Sequence, residues 1–233
     1  MKLDKKVNSF DSRNDAALKK RKEVENLYRR ASKHLQKDNI EKAIERFEEA
    51  VQKSEGLNAV YIKLKYRCLL LAGICYARQG RHKDALKRFQ RAIPEEKATE
   101  DELTFEIYYN MGLSKLSLNA LPDAIVFFDL ALCGYREINK LDMQAVILSK
   151  LGYCWIKSNN SNQAVTCYKS SRDIFKQIND LPNETLIMTE LASLYADSGQ
   201  QKKCLTILND IRTRCQKIQE DDILCKLRKS PIP

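Results

Sequence analysis

The sequence has few of the residues that catalytic and metal sites usually need. It contains two histidines, His34 and His82, among 233 residues, which leaves little for metal ligation or for imidazole acid and base catalysis. It also lacks the motifs G-x-S-x-G, G-x-x-x-x-G-K-[ST], G-x-G-x-x-G and H-E-x-x-H, which mark common hydrolase, nucleotide and zinc-protease sites. We therefore expect no catalytic residue, no metal and no cofactor, and we predict that the protein is not an enzyme.

Long apolar runs and secretory features are missing as well. No stretch reaches the roughly 18 to 20 uninterrupted apolar residues that a membrane-spanning helix needs, and the charged N-terminus is not followed by an apolar block. Eight cysteines never form a C-x-x-C pair, and most fall in apolar helical patterns, where a free thiol packs as a small hydrophobic group. These features predict a soluble protein of a reducing compartment, cytoplasmic or nuclear, with no membrane contact.

Glycine and proline are also scarce, with 7 and 5 residues, and in their place the sequence shows a repeat. In five copies the apolar residues recur at i, i+3, i+4 and i+7, with one short polar break near the middle. This pattern predicts two antiparallel helices joined by a tight turn. A small residue in each second half anchors the copies, with offsets of 42, 39, 40 and 40; the anchors are Ala43, Ala85, Ala124, Ala164 and Cys204.

Two further positions repeat, and each has a packing reason. A small residue in the first helix lets the partner helix come close, while a large ring one turn after the anchor fills the space between them. The small residues are Ala31, Gly73, Gly112, Gly152 and Ala192, and the rings are Phe47, Phe89, Phe128 and Tyr168.

This pattern resembles the tetratricopeptide repeat. Its period near 40 residues, against the usual figure of about 34, is similar to that of the long-repeat subclass of the family. The resemblance implies an all-α fold, a right-handed superhelical solenoid of about five antiparallel helix-turn-helix repeats whose first helices line a concave face. The predicted repeats lie near residues 24–57, 66–99, 105–138, 145–178 and 185–217.

The predicted domain organisation has three parts. Residues 1–15 show no periodicity and are expected to form a disordered basic arm. Residues 16–217 are expected to form the helical repeat domain. Residues 218–233 are expected to form a capping helix and a tail, which would cover the apolar face that a terminal repeat leaves open.

The resemblance also implies where a partner binds. Because ligands of this family usually lie in the concave groove, a non-catalytic scaffold or adaptor that holds a peptide or an amphipathic helix is predicted. Apolar and aromatic groove positions edged by cations favour a segment with apolar anchors and some acidic residues, although some of these side chains would instead pack between helices. The predicted groove residues are Arg67, Leu70, Ile74, Arg78, Tyr109, Leu113, Leu116, Ser149, Tyr153, Ile156, Lys157 and Thr189.

Charge distribution supplies the alternative function. Residues 1–37 hold twelve Lys or Arg against five acidic residues, a net charge of +7. Within them Lys19, Lys20, Arg21 and Lys22 form a candidate nuclear localisation signal or acidic-partner site. The alternative is therefore a factor that binds nucleic acid or an acidic protein through this segment. The sequence leaves the partner, the pathway and the oligomeric state open.

Overall fold

The computed structural model describes residues 2–55, 62–94 and 101–229, and describes side-chain surroundings for residues 18–55, 62–94 and 101–214. Over these ranges ten helices follow one another and no strand occurs. The helices are α1 (Lys2–Gln36), α2 (Ile40–Ser54), α3 (Ile62–Arg78), α4 (His82–Ala92), α5 (Glu102–Ser117), α6 (Leu121–Glu137), α7 (Leu141–Lys157), α8 (Ser161–Gln177), α9 (Leu181–Asp197) and α10 (Gln201–Lys229).

The helices form five pairs, and a three-residue turn joins the two helices of each pair. Every pair falls on one of the predicted repeats. The all-α class and the helix-turn-helix repeat are therefore confirmed.

Each of these turns contains one residue with a left-handed backbone. Glycine adopts this conformation readily, and Asn and Asp tolerate it better than other residues. After α5 the N–H of Ala120 donates to the carbonyl of Lys115 at 2.9 Å. This hydrogen bond is typical of a helix end that is followed by a left-handed residue, here Asn119. The left-handed residues are Asp38, Gly80, Asn119, Asn159 and Gly199, with φ between +56° and +75°.

The chain divides into two compact units, Met1–Gly134 (unit 1) and Tyr135–Pro233 (unit 2). The core of unit 1 includes the fully buried rings Phe47 and Phe89. The core of unit 2 is built around Tyr168, Phe175 and Leu191, drawn from α8 and α9. Each unit therefore has an apolar core of its own.

The packing reason for the small first-helix residues is confirmed. A Cβ atom added at Gly112 would lie 2.7 Å from the ring of Phe128, and one added at Gly152 would lie 2.8 Å from the ring of Tyr168. Real Cβ atoms essentially never approach so closely. The glycines thus let α5 and α7 approach the rings of their partner helices.

The two ends differ from the predicted organisation. Helix α1 begins at Lys2, so residues 2–15 lie in a helix where a disordered arm was expected. Helix α10 runs unbroken to Lys229, so residues 218–229 continue the last repeat and form no separate capping helix. Neither Pro nor Gly occurs within α1 or α10, so nothing in these stretches breaks the helix. Leu205 and Leu208 of α10 are 60% and 46% exposed.

Candidate functional site

An open pocket of about 620 Å³ in unit 1 is lined by three successive first helices. Leucines from α3 and α5 supply apolar surface, and charged side chains surround them. We call this the first-helix pocket, and its lining residues are Arg21, Glu25, Lys63, Leu64, Arg67, Asp101, Glu102, Leu103 and Glu106.

The first-helix pocket carries charges of both signs. The guanidinium of Arg21 donates to the carboxylate of Glu25 at 2.8 Å, and the ammonium of Lys63 lies 3.7 Å from the carboxylate of Asp101. Asp101 also caps α5, since its side chain accepts from the N–H of Thr104 at 3.3 Å. Ion pairs this exposed are weak, so a charged segment of a partner can exchange with them at little cost.

The structure places the groove residues predicted on α3 at different depths. Arg67 is exposed and lines the first-helix pocket, and Arg78 is exposed with its guanidinium 4.0 Å from the carboxylate of Asp38. Ile74 is half-buried against the core of unit 1. Leu70 is wrongly predicted as a groove residue, because it is only 1% exposed and belongs to that core.

Tyr109 of α5 serves packing as well as the surface. Its ring lies 6.0 Å from that of Phe128, centroid to centroid, and burial raises the pKa of its phenol. Tyr28 has the same relation to Phe47 in the first pair, at 6.1 Å. In both pairs the tyrosine of the first helix therefore contacts the phenylalanine ring of the second helix. Because of this contact, Tyr109 is only partly available to a ligand. The neighbouring predicted residues Leu113 and Leu116 are also half-buried.

Unit 2 exposes apolar side chains on its own first helices. Tyr153 of α7 is 41% exposed and Leu186 of α9 is 58% exposed, while the ammonium of Lys157 lies 5.4 Å from the centre of the Tyr153 ring. Burial raises the pKa of the Tyr168 phenol, and the nearby Glu190 and Tyr153 raise it further. Helices α7 and α9 therefore both approach the Tyr168 ring of α8.

The remaining predicted residues of unit 2 differ in what they offer. Ile156 packs against the core of unit 2. The hydroxyl of Ser149 donates to the carbonyl of Val146 at 2.7 Å. The exposed Thr189 hydroxyl donates to the carbonyl of Thr185 at 3.0 Å. Both hydroxyls are thus bonded to their own helix.

The basic cluster at residues 19–22 lies on α1. The ammonium of Lys20 donates to the carbonyl of Glu55 at 2.8 Å, and Arg21 belongs to the first-helix pocket. Lys19 and Lys22 are exposed. The cluster is therefore divided between contacts within unit 1 and solvent.

Sequence reasoning missed a second basic region. An open pocket of about 650 Å³ between α3 and α4 has Lys65, Lys87, Arg88 and Arg91 among its lining residues. A charge count repeat by repeat would have found it, because residues 62–94 hold nine Lys or Arg and one acidic residue.

The described part of the chain offers neither a metal cluster nor a membrane span. No group of three or more His, Cys, Asp or Glu side chains there is placed to hold a metal ion. None of the helices in those same ranges is long and apolar enough to cross a membrane.

Comparison with known proteins matches one repeat of the chain to a family model. Residues 67–93, which span most of α3 and α4, match the family model described as tetratricopeptide repeat. No curated protein sequence matches the chain.

Solved structures share the fold. The chain is similar to BtubC (BKLC) from P. vanneervenii, with a TM-score of 0.72, 15% identity and 93% of each chain covered. It is similar to a Rap protein in complex with competence and sporulation factor, with a TM-score of 0.62 and 17% identity over 88% of this chain and 57% of that one. It is also similar to TPR-like repeats from Podosopora anserina, with a TM-score of 0.69 and 13% identity over 84% of this chain and 96% of that one. At such identities the likeness shows the fold alone.

Proposed function

We propose that this tetratricopeptide-repeat protein is a non-catalytic interaction scaffold that holds a segment of a partner protein on the surface of its first helices. One observation carries the proposal: α1, α3 and α5 together line one open pocket of about 620 Å³. A surface built from successive repeats suits an extended or helical segment, because each repeat adds contacts along the same path.

The chemistry of the surface suits a segment with apolar anchors and acidic residues. Leu64 and Leu103 offer apolar contact, and Lys63 and Arg67 offer positive charge, in the first-helix pocket. In unit 2, Tyr153 and Leu186 are available as apolar contacts. A rigid amphipathic ring such as Tyr153 is a common centre of binding energy at protein interfaces.

The lining of the first-helix pocket also supports a non-catalytic role. Among the described residues that line it there is no histidine, cysteine or serine. Two of its acidic side chains are engaged, Glu25 with Arg21 and Asp101 with Lys63. The Rap protein above, 57% of which the likeness covers, was solved with competence and sporulation factor. It supports binding here by analogy of fold.

The test is affinity capture from lysate, with and without nuclease treatment, using the intact chain and two variants. The variant Arg67→Glu/Tyr153→Ala changes one exposed residue in each unit, and Lys169→Glu changes an exposed lysine of α8 as the control. We expect a protein that is captured at low and high salt by the native chain and by Lys169→Glu. The double variant should lose it while circular dichroism shows unchanged helicity.

Two results would contradict the proposal. Capture that is equal for the double variant and the control would show that neither Arg67 in the first-helix pocket nor Tyr153 of unit 2 contacts the partner. Recovery only at low salt, with loss on nuclease treatment, would favour nucleic-acid binding through residues 1–37, since that interaction weakens steeply with salt.

A further inference from the structure

Positive charge is concentrated in the second helix pair. Residues 62–94 carry a net charge of +8, out of +10 for the whole chain. The basic side chains of α3 face two surfaces: Lys63 and Arg67 line the first-helix pocket, whereas Lys65 lines the pocket between α3 and α4. We call the latter the α3–α4 pocket, and the proposed scaffold function does not use it.

The described lining of the α3–α4 pocket consists of four cations, Gln90 and apolar groups, and it includes no acidic residue. Its volume, about 650 Å³, is large enough for a few side chains of a bound segment. Tyr66 and Ile93 form apolar surface beside the four cations. Tyr66 packs against the core of unit 1, so its position is fixed.

The four cations differ in how far they are engaged. Arg88 donates to the carboxylate of Glu48 at 2.5 Å. The ammonium of Lys87 lies 3.6 Å from the carboxylate of Asp84 and stays 67% exposed. Over the described part of the chain, no carboxylate forms an ion pair with Lys65 or Arg91. Within the described ranges the charges of these two cations are therefore uncompensated, which suits them to bind an external anion.

The basic surface is bounded, which decides between two kinds of polyanion. The ion pair between Arg88 and Glu48 places α2 beside α4, and α2 carries four acidic residues against three basic ones. A nucleic-acid backbone gains affinity from cations along an extended path, and in the direction of α2 the net positive charge does not continue. A short acidic segment needs positive charge only at the pocket.

We propose that the α3–α4 pocket is a second binding site, which takes a short segment of a partner protein containing several Asp or Glu residues and an apolar side chain. Lys65 and Arg91 bind the carboxylates, and Tyr66 and Ile93 contact the apolar group. A protein with sites on both surfaces of its second repeat can hold two segments at once.

The test is fluorescence anisotropy of the full chain with a labelled ten-residue peptide of Glu and Leu. We compare the native chain with Lys65→Gln/Arg91→Gln, and repeat both in an Arg67→Glu background, which weakens binding of the same peptide in the first-helix pocket. The control, Lys42→Gln/Lys83→Gln, removes the same charge at exposed positions outside the pocket. We expect the pocket variant to bind at least about tenfold more weakly. The control should stay within about twofold of the native chain, because distant exposed charges contribute little.

A peptide with Lys in place of Glu, and a single-stranded oligonucleotide as competitor, complete the design. The Lys peptide should not bind, and the oligonucleotide should displace the Glu and Leu peptide poorly at physiological salt. If the pocket variant and the control lose the same amount of affinity for the Glu and Leu peptide, binding depends on the overall charge of the chain and not on the pocket. That result would overturn the proposal. So would an oligonucleotide that binds more tightly than the peptide and loses affinity in the pocket variant, since the site would then belong to nucleic acid. Because the first-helix pocket is unchanged in both variants, either failure leaves the scaffold function standing.

Discussion

The contact between Gly112 and Phe128 allows a sharp test of how the repeats pack. In most helix interiors a Gly→Ala change stabilises by about 1 kcal/mol, because glycine loses more backbone entropy on folding. At Gly112 the new methyl would lie 2.7 Å from two atoms of the Phe128 ring. The ring is fully buried, and Tyr109 packs against it as well, so it has little room to move.

We therefore expect Gly112→Ala to destabilise the protein, which is the opposite of the usual effect of a Gly→Ala change in a helix. Overpacking of this kind costs about 1 to 3 kcal/mol, which exceeds the gain in helix propensity. We predict that Gly112→Ala lowers the free energy of unfolding by about 1 to 2 kcal/mol. Phe128→Leu alone should also destabilise, by about 1 to 3 kcal/mol, because it leaves a cavity.

The double variant isolates the cause. In the Phe128→Leu background the added methyl at residue 112 enters space that the ring has left, so Gly112→Ala should become neutral or stabilising there. The coupling energy should be about 2 kcal/mol in the direction of rescue. Urea unfolding followed by circular dichroism measures all four proteins, and equal m-values would show that the same structure unfolds in each. If Gly112→Ala costs the same in both backgrounds, the ring contact is not the reason for a glycine at this position.

Three further predictions concern single sites. Asn119→Val should lower the unfolding free energy by about 1 to 2 kcal/mol, and Asn119→Gly should not lower it, because φ is +57° there and β-branched residues strain in that region; urea unfolding checks both. Glu184→Gln should loosen α9 and α10, seen as faster hydrogen exchange, since Glu184 is buried and Arg214 donates to it at 2.5 Å. Burial raises the pKa of Cys68 from 9.0 to about 12. The unfolded thiol thus ionises first as pH rises, so the contribution of Cys68 to the unfolding free energy should hold below about pH 8 and fall above about pH 9, by about 1 kcal/mol at pH 10. Cys75 and Cys154, whose pKa burial raises to about 11, add losses over the same range. Cys68→Ala should reduce that fall.

Local patterns predicted the repeat because they act over one helix or one turn. The polar breaks in the sequence contain Asn119, Asn159 and Gly199, residue types that accept the left-handed backbone found there. The spacing of Gly112 and Phe128 likewise anticipated their contact. The absence of Gly and Pro from α1 was equally visible in the sequence, and it favours an unbroken helix. Residues 2–15 were expected to be disordered because they show no periodicity, and the structure places them in helix α1.

The candidate sites were harder to predict, because exposure depends on what lies opposite each position. Equivalent first-helix positions hold Leu70, which is buried, and Thr189, which is exposed. A family position fixes the direction of a side chain but not how closely the next helix covers it. The α3–α4 pocket shows the converse case, in which sequence alone contained enough information. Summed over everything after residue 37, the charge is only +3, since acidic residues elsewhere offset the basic second pair. Counting charge by structural unit, one helix pair at a time, gives +8 for residues 62–94 and directs attention to Lys65 and Arg91.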